Sequence, residues 1–317
     1  MNQPPFATLQ IGYVEPLRAA WRRTREMLFH PVKPRTWLVL GFAAWLAGLM
    51  EGTGGGPGNL GIGKTGGAYH PVEFLRGAWQ RLLEHPWLAV LIVVGAAATL
   101  LVLLLLLWIS SRAKFVYLDS VITRRPAIVE PWRRTRQLGN SLFLWRLGFF
   151  AVALLAAAAL GTVLYVAAGG LDGFGFATAR SALMTVLAGA AALLLVMALA
   201  LVTLFLDSFV VPLMAHGNLR TSAAWAAFLP WLEAYTGSFV LYGLAVLALW
   251  IGVALAVTVA GFATCCMVFF LLAVPYVGTV VLLPVHLTYR LFSLAFLAQF
   301  DPGLDMTGLR GPLQPSS

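Results

Sequence analysis

Long apolar stretches without a charged residue recur along the chain. Residues 86–111 and 181–206 are the clearest, since each exceeds the roughly 20 residues that an α-helix needs to cross ~30 Å of hydrocarbon. Residues 147–170 form a third such stretch, rich in Ala and Leu. A shorter apolar run at 36–50 contains two tryptophans, and together with the start of the glycine-rich stretch that follows it predicts a first span near 36–52. The pattern is typical of transmembrane helices.

The last part of the chain predicts two further spans. Residues 238–289 contain no Asp, Glu, Lys or Arg, and this run is too long for one crossing. We expect spans at 238–260 and 264–284. The alternative, a last span at 276–298, would place Arg290 deep in the bilayer, which costs several kcal/mol unless the charge is paired. The first placement is therefore preferred.

Composition agrees with a membrane setting. Hydrophobic residues make up 60% of the chain and charged residues 10%, against roughly a quarter charged in ordinary soluble domains. A soluble fold of this size would expose much of that apolar surface to water. We therefore predict an all-α, polytopic transmembrane helical bundle of about six spans with interfacial amphipathic helices. Its expected parts are a cytoplasmic N-terminal segment 1–35, a membrane domain 36–300 ending in an interfacial helix 285–299, and a disordered tail 301–317.

The N-terminal segment contains an amphipathic pattern. Leu17, Trp21, Thr24 and Leu28 fall on one face of a helix, with arginines on another. Such a helix is predicted to lie in the membrane interface with its basic face toward anionic headgroups. The alternative is an ordinary cytoplasmic helix packed on the bundle. The predicted headgroup-binding residues, from this helix and from a second basic block, are Arg18, Arg22, Arg25, Arg133 and Arg134.

Basic residues also predict the orientation. Segments 1–35 and 112–146 hold six and eight Lys and Arg residues, whereas the segments expected on the opposite side hold four together. Because short cytoplasmic loops are enriched in Lys and Arg, we expect both termini on the cytoplasmic side of the bacterial inner (cytoplasmic) membrane. The bilayer and its anionic headgroups are then the expected partners. A nucleic-acid partner is disfavoured because the basic blocks are short and adjoin predicted spans.

An internal repeat is present. Residues 14–23 and 72–81 are identical at seven of ten positions, and a shortened copy occurs at 129–134. The chain therefore resembles a series of units, each an in-plane helix followed by a span. Because one predicted span separates the first two copies, either the units are inverted or residues 36–50 do not cross. Both alternatives stay open.

One segment matches the phosphate-binding loop pattern. Gly58, Gly63, Lys64 and Thr65 occupy the required positions, but that chemistry needs a strand before the loop and a helix starting at the lysine. Here the following residues are two glycines and, soon after, Pro71, so the match is judged to be chance. No metal-ligand spacing and no catalytic motif is found, and we therefore expect no catalytic residue, metal or cofactor.

Two aspartates lie at the ends of long uncharged helices and are candidates for a functional role. Asp119 and Asp207 each follow an apolar run, where an ionised group is costly unless it is paired. We hypothesise that Asp207 pairs with Arg290, which would bring the fourth span against the last part of the chain. The aspartates could instead serve transport or a proton relay. Candidate partners for the two carboxylates are Arg112, Lys114, Arg146 and Arg290.

Residues 207–300 resemble a known group of proteins. The motifs that carry the resemblance include Val211-Pro212-Leu213-Met214, Cys265-Cys266, Pro275-Tyr276 and Leu283-Pro284. The tract is similar to uncharacterised bacterial polytopic membrane proteins, and distantly to the membrane domain of glycerophosphoryl diester phosphodiesterases. The resemblance implies an all-helical membrane module and no assigned activity. The soluble phosphodiesterase domain is not found in this sequence, so no catalytic role is carried over.

Three functions follow from these observations. The first is a non-catalytic component that organises lipid or binds other membrane proteins, with the oligomeric state left open. The second is a transporter or permease that uses the inner-edge aspartates, and the third is a membrane-associated enzyme. A cavity at the membrane midplane, with convergent polar groups and reaching Asp119 or Asp207, would favour the second, and a dry bundle would favour the first.

Overall fold

The computed structural model describes residues 11–30, 33–50, 86–123, 128–170 and 178–308. Within these ranges the chain consists of helices and connecting turns, with no β-strand. The helices are α1 Val14–Phe29, α2 Pro34–Gly48, α3 Pro86–Thr123, α4 Val129–Arg134, α5 Arg136–Ala168, α6 Ala179–Phe205, α7 Val211–Gly217, α8 Thr221–Ala234, α9 Thr236–Ala263, α10 Met267–Ala273, α11 Val277–Val281 and α12 Leu283–Leu297. A π-helical turn, Leu206–Val210, joins α6 to α7.

Four helices are long and apolar enough to cross a membrane: α3, α5, α9, and α6 with its continuation through the π turn and α7. Their apolar side chains are widely exposed, as at Leu101, Leu154 and Leu194, each about 70% accessible. Such surfaces are stable in hydrocarbon and would be unstable in water. The prediction of an all-α membrane bundle is therefore confirmed.

A densely packed layer lies at one end of this bundle. Phe209 of the π turn is fully buried, with its ring centroid 4.9 Å from that of Tyr242 and 5.2 Å from that of Phe239. Phe228 of α8 stacks on the other side, at 5.4 Å. Burial of each such ring contributes roughly 2–3 kcal/mol. This layer holds the ends of α3 and α6 together with α1, α8, α12 and the start of α9.

Helix α12 was expected at the membrane interface, and the structure places it in the core instead. Leu287, Leu291, Leu294 and Phe296 are at most 1% exposed. These positions cover several faces of the helix, because α1 packs on one side while α2 and the π turn pack on others. A helix that is apolar on most of its circumference can be buried by protein as well as by lipid.

Two predicted spans differ in the structure. In place of the span predicted at 36–52, α2 covers Pro34–Gly48; its 15 residues are about 22 Å long, which is too short to cross the hydrocarbon by itself. Within 264–284 the chain forms the short helices α10 and α11 rather than one span. Cys265, Cys266 and Tyr276 adopt positive φ angles there, which interrupt the helical hydrogen-bond pattern.

Helix α1 packs on α12 through a stripe that differs from the expected one. Pro16, Ala20, Thr24 and Leu28 are buried, whereas Trp21 is 47% exposed. The Thr24 and Thr288 hydroxyl groups hydrogen bond at 3.0 Å across the interface. The contact with α12 agrees with a helix packed on the bundle, the alternative interpretation.

The segment after Asp301, expected to be disordered, is folded as far as residue 308. A 3₁₀ turn at Pro302–Leu304 buries Leu304, and Arg23 of α1 donates to the Thr307 carbonyl at 3.3 Å. The disordered-tail prediction is thus wrong for 301–308, because a buried leucine anchors this segment. Residues 309–317 lie outside the described ranges, as does the repeat copy at 72–81.

Candidate functional site

A buried ion pair joins two of the long helices. The Lys114 ammonium on α3 donates to the Asp207 carboxylate on the π turn. Their side chains are 7% and 26% exposed. Both residues follow the apolar runs of their helices, and both lie 28 residues, about 42 Å, from the helix starts at Pro86 and Ala179. The two residues therefore lie at the same height along α3 and α6, where the apolar surfaces of these helices end.

The π turn explains how Arg290 joins this pair. The Val211 N–H donates to the Leu206 carbonyl, five residues back. In that register the next donor along the chain would come from Pro212, which has no N–H to offer the Asp207 carbonyl. The Arg290 guanidinium on α12 donates to that carbonyl. This contact ties α12 to the end of α6.

The structure brings Asp207 and Arg290 together, but through different atoms from those of the hypothesised pair between the two side chains. The two residues are in contact and bring α12 against the fourth long apolar segment, as expected. The contact runs through the main-chain carbonyl of Asp207, while Lys114 binds the carboxylate.

Arg146 of α5 completes the charged group. It is 5% exposed and donates to the Ser110 hydroxyl at 3.4 Å. Ser110 in turn donates to the Ala47 carbonyl at 2.8 Å. This chain of hydrogen bonds positions the Arg146 side chain between α2, α3 and α5.

All four charged residues line one open cavity of about 520 Å³, whose walls are formed by α2, α3, α5, α6, the π turn, α9 and α12. Its volume lies within the usual range for small-molecule sites, roughly 300–1,000 Å³. Most of the remaining lining is apolar or aromatic. These wall residues include Ala44, Ala47, Met50, Phe150, Ala200, Leu204, Val246 and Trp250.

Two further polar groups line the cavity with unused hydrogen-bonding capacity. The Tyr117 hydroxyl and the His286 Nε2 are buried and have no hydrogen-bond partner among the described residues. Burial lowers the pKa of His286 to about 4, so the imidazole on α12 is neutral at pH 7. A buried polar atom left without a partner costs about 1–3 kcal/mol, so a hydrogen-bond partner for either atom would stabilise the protein.

The other predicted site residues lie elsewhere. Asp119 does not line the cavity, and its charged neighbours are Arg134 and Glu130. Arg18 pairs with Glu15 at 2.9 Å on the exposed side of α1. The remaining predicted headgroup-binding residues are exposed: Arg22, Arg25, Arg133 and Arg134. The phosphate-loop match at 58–65 lies outside the described residues, and the described part of the chain contains no metal-ligating cluster.

Arg112, a further buried cation, was considered only as a partner of the aspartates, and the structure gives it other contacts. The Arg112 guanidinium lies over the rings of Trp108 and Trp132, at 4.3 and 5.6 Å from their centroids. It also donates to the Asn140 side-chain oxygen at 3.1 Å. The spacing of Trp108 and Arg112, four residues apart on one helix, is the sequence signal that indicates this contact.

Fold and site together define an all-α protein with four helices that are long and apolar enough to cross a membrane, and with a charged, partly apolar cavity at one end of these helices. The chain belongs to a family of unknown function (DUF7544), whose model matches residues 13–283. That match includes Lys114, Arg146 and Asp207 and ends before Arg290. No curated protein and no solved structure matches significantly, so the resemblance to a phosphodiesterase membrane domain receives no support.

Proposed function

We propose that this protein is a non-catalytic, ligand-binding component of the cytoplasmic membrane, and that the cavity lined by Lys114, Arg146, Asp207 and Arg290 is its binding site. The supporting observation is the convergence of Lys114, Arg146, Asp207 and Arg290 on a cavity with apolar walls. A bundle with only a structural role would gain more stability by filling this space with side chains. The absence of a catalytic motif from the sequence favours binding over catalysis.

In the proposed orientation both termini face the cytoplasm. The charged end of the cavity then lies near the cytoplasmic headgroup layer, since Lys114 lies about 42 Å along α3 and the hydrocarbon is only ~30 Å thick. The exposed arginines of α1 and α4 would contact anionic headgroups at the same level. Binding of other membrane proteins remains part of the proposal, through the exposed apolar faces of the spans.

Transport is a second candidate, favoured by the fact that the cavity reaches Asp207. A transporter would carry its ligand across the bilayer, whereas a binding protein would only retain it. Uptake into sealed vesicles containing the purified protein distinguishes the two. Uptake that depends on Asp207, tested with Asp207→Asn, would favour transport.

Binding itself can be tested by filling the cavity. Ala200 lines the cavity wall on α6, and Ala198 is exposed on the same helix outside the cavity. We expect protein purified in mild detergent to retain a bound small molecule or lipid in native mass spectrometry. Ala200→Trp should abolish that retention and Ala198→Trp should preserve it, with both variants monodisperse. Equal retention by the two variants, or no retained molecule in the unmodified protein, would overturn the proposal.

A further inference from the structure

We infer that the cavity binds the anionic headgroup of an amphiphile, a phosphate or carboxylate group attached to a hydrocarbon chain. This inference rests on the proposed binding function and names its ligand class. Three properties of the described lining support it: its charge, its hydrogen-bonding groups, and the position of its apolar walls.

The charge of the lining favours an anion. Among the described lining residues, Lys114, Arg146 and Arg290 are cationic and Asp207 is anionic. Arginine binds oxyanions well because its planar guanidinium can donate two parallel hydrogen bonds to two oxygens. Arg146 is already oriented by Ser110, so less side-chain entropy is lost when an anion binds. Attraction at this depth is also stronger than in bulk water, because the surrounding protein has a lower dielectric constant.

Hydrogen-bonding groups are available beside these charges. The Tyr117 hydroxyl can donate to an oxyanion, and the neutral His286 imidazole offers a nitrogen that donates in one of its two tautomers. Neither buried atom is satisfied by the described protein, so a bound oxyanion that came within hydrogen-bond distance of them would remove the cost of two unsatisfied groups. A purely apolar ligand would leave both unpaired.

The apolar walls indicate the hydrocarbon part of the ligand. Arg146 immediately precedes the apolar run of α5, and Lys114 and Asp207 follow the apolar runs of α3 and α6. The charged groups therefore lie at the boundary between the polar and apolar parts of three helices. Next to them, wall residues such as Phe150 and Leu204 continue along the spans. An amphiphile can place its headgroup among the charges and its chain along these walls, whereas a small soluble anion would leave the walls uncovered.

The test uses defined ligands with the full-length protein. The purified protein is incubated in detergent with phosphatidylglycerol, phosphatidylcholine, inorganic phosphate or glycerol 3-phosphate, and binding is measured by native mass spectrometry and by the shift in thermal unfolding. We expect phosphatidylglycerol to bind about tenfold or more tightly than phosphatidylcholine, since only the former carries a net negative charge. Inorganic phosphate and glycerol 3-phosphate should bind more weakly still, because they cannot cover the walls.

Variants locate the binding to the cavity. Arg146→Gln should weaken phosphatidylglycerol binding about 10- to 100-fold, the effect of losing a charge-assisted hydrogen bond. Arg136→Gln, on the same helix but exposed and outside the cavity, is the matched control and should leave affinity unchanged. If Arg146→Gln fails to fold, Tyr117→Phe replaces it, since that change removes only a hydroxyl without a described partner. It should weaken binding about two- to tenfold.

The outcomes separate this inference from the proposed function. A retained ligand that is neutral, or equal binding of the two lipids, would overturn the anionic assignment while leaving the binding function intact. Binding of phosphate or glycerol 3-phosphate as tight as that of phosphatidylglycerol would overturn the amphiphile and indicate a soluble anion. Failure of the Ala200→Trp experiment would remove the binding function itself.

Discussion

The ion pair between Lys114 and Asp207 can be used to test how the helices pack, because it joins two long helices inside the packed layer. Removing one member of a buried ion pair commonly destabilises a protein by about 3–5 kcal/mol, since the other charge is left without compensation. The two single variants should nevertheless differ. Lys114 is 7% exposed and Asp207 is 26% exposed, so Lys114 is the more costly charge to leave behind.

The expected magnitudes follow from this asymmetry. Asp207→Leu should lower the free energy of unfolding by about 3–5 kcal/mol because it leaves the buried Lys114 ammonium. Lys114→Met should cost less, about 2–3 kcal/mol, since the partly exposed carboxylate keeps water and has the Arg290 guanidinium nearby. The double variant should cost only about 0–1 kcal/mol, because it removes both charges and replaces them by apolar groups of similar size.

The assay is unfolding in mixed micelles at increasing SDS concentration, followed by tryptophan fluorescence from the chain's 11 tryptophans. A double-mutant cycle over the four proteins gives the coupling energy directly. The matched control replaces Arg136, which is exposed, by Met, and it should change the free energy of unfolding by less than about 0.5 kcal/mol. If the effects of Lys114→Met and Asp207→Leu simply add, the two side chains do not interact and the packing of α3 on the π turn is wrong.

Two further predictions concern packing and protonation. Gly139→Ala on α5 should destabilise the protein by about 1–3 kcal/mol, because the new methyl group would lie 2.6 Å from the Arg112 Cγ. Gly148→Ala on the same helix meets nothing within 4 Å and should be neutral or stabilising in the same SDS unfolding assay. Because burial lowers the pKa of His286 to about 4, the unfolded chain takes up this proton first as the pH falls from about 6.5 to 4. Stability should therefore decline across that window by at most about 1.4 kcal/mol per pH unit, and a His286→Gln variant with the same pH profile would contradict this.

The amino-acid sequence by itself determined the class of protein and the positions of its four long apolar helices. The uncharged runs at 86–111, 181–206 and 238–260 lie within three of these helices, and the run at 147–170 extends two residues past the end of the fourth, because a run of that length has few stable settings other than hydrocarbon. The helices extend past these runs, since their polar ends continue into the packed layer. The hydropathy of a segment therefore indicates which residues suit hydrocarbon, and it does not indicate where the helix ends.

The candidate site was partly foreseen. Asp207, Arg146 and Arg290 were singled out because a charge at the end of an apolar run is costly unless it is paired, and the structure places all three on one cavity. Tyr117 and His286 were missed as site residues. A tyrosine or a histidine in an apolar helix has the same pattern whether it faces packed protein or a cavity.

Only the tertiary structure decided which cation meets the Asp207 carboxylate. Lys114 and Arg290 were both candidates, and they are 93 and 83 residues away along the chain. Helix packing and the π turn bring Lys114 to the carboxylate and Arg290 to the carbonyl. Tertiary packing also placed α12 in the core. An apolar helix buried by protein and one lying against lipid have similar compositions, because both satisfy their backbone internally and differ only in what surrounds them.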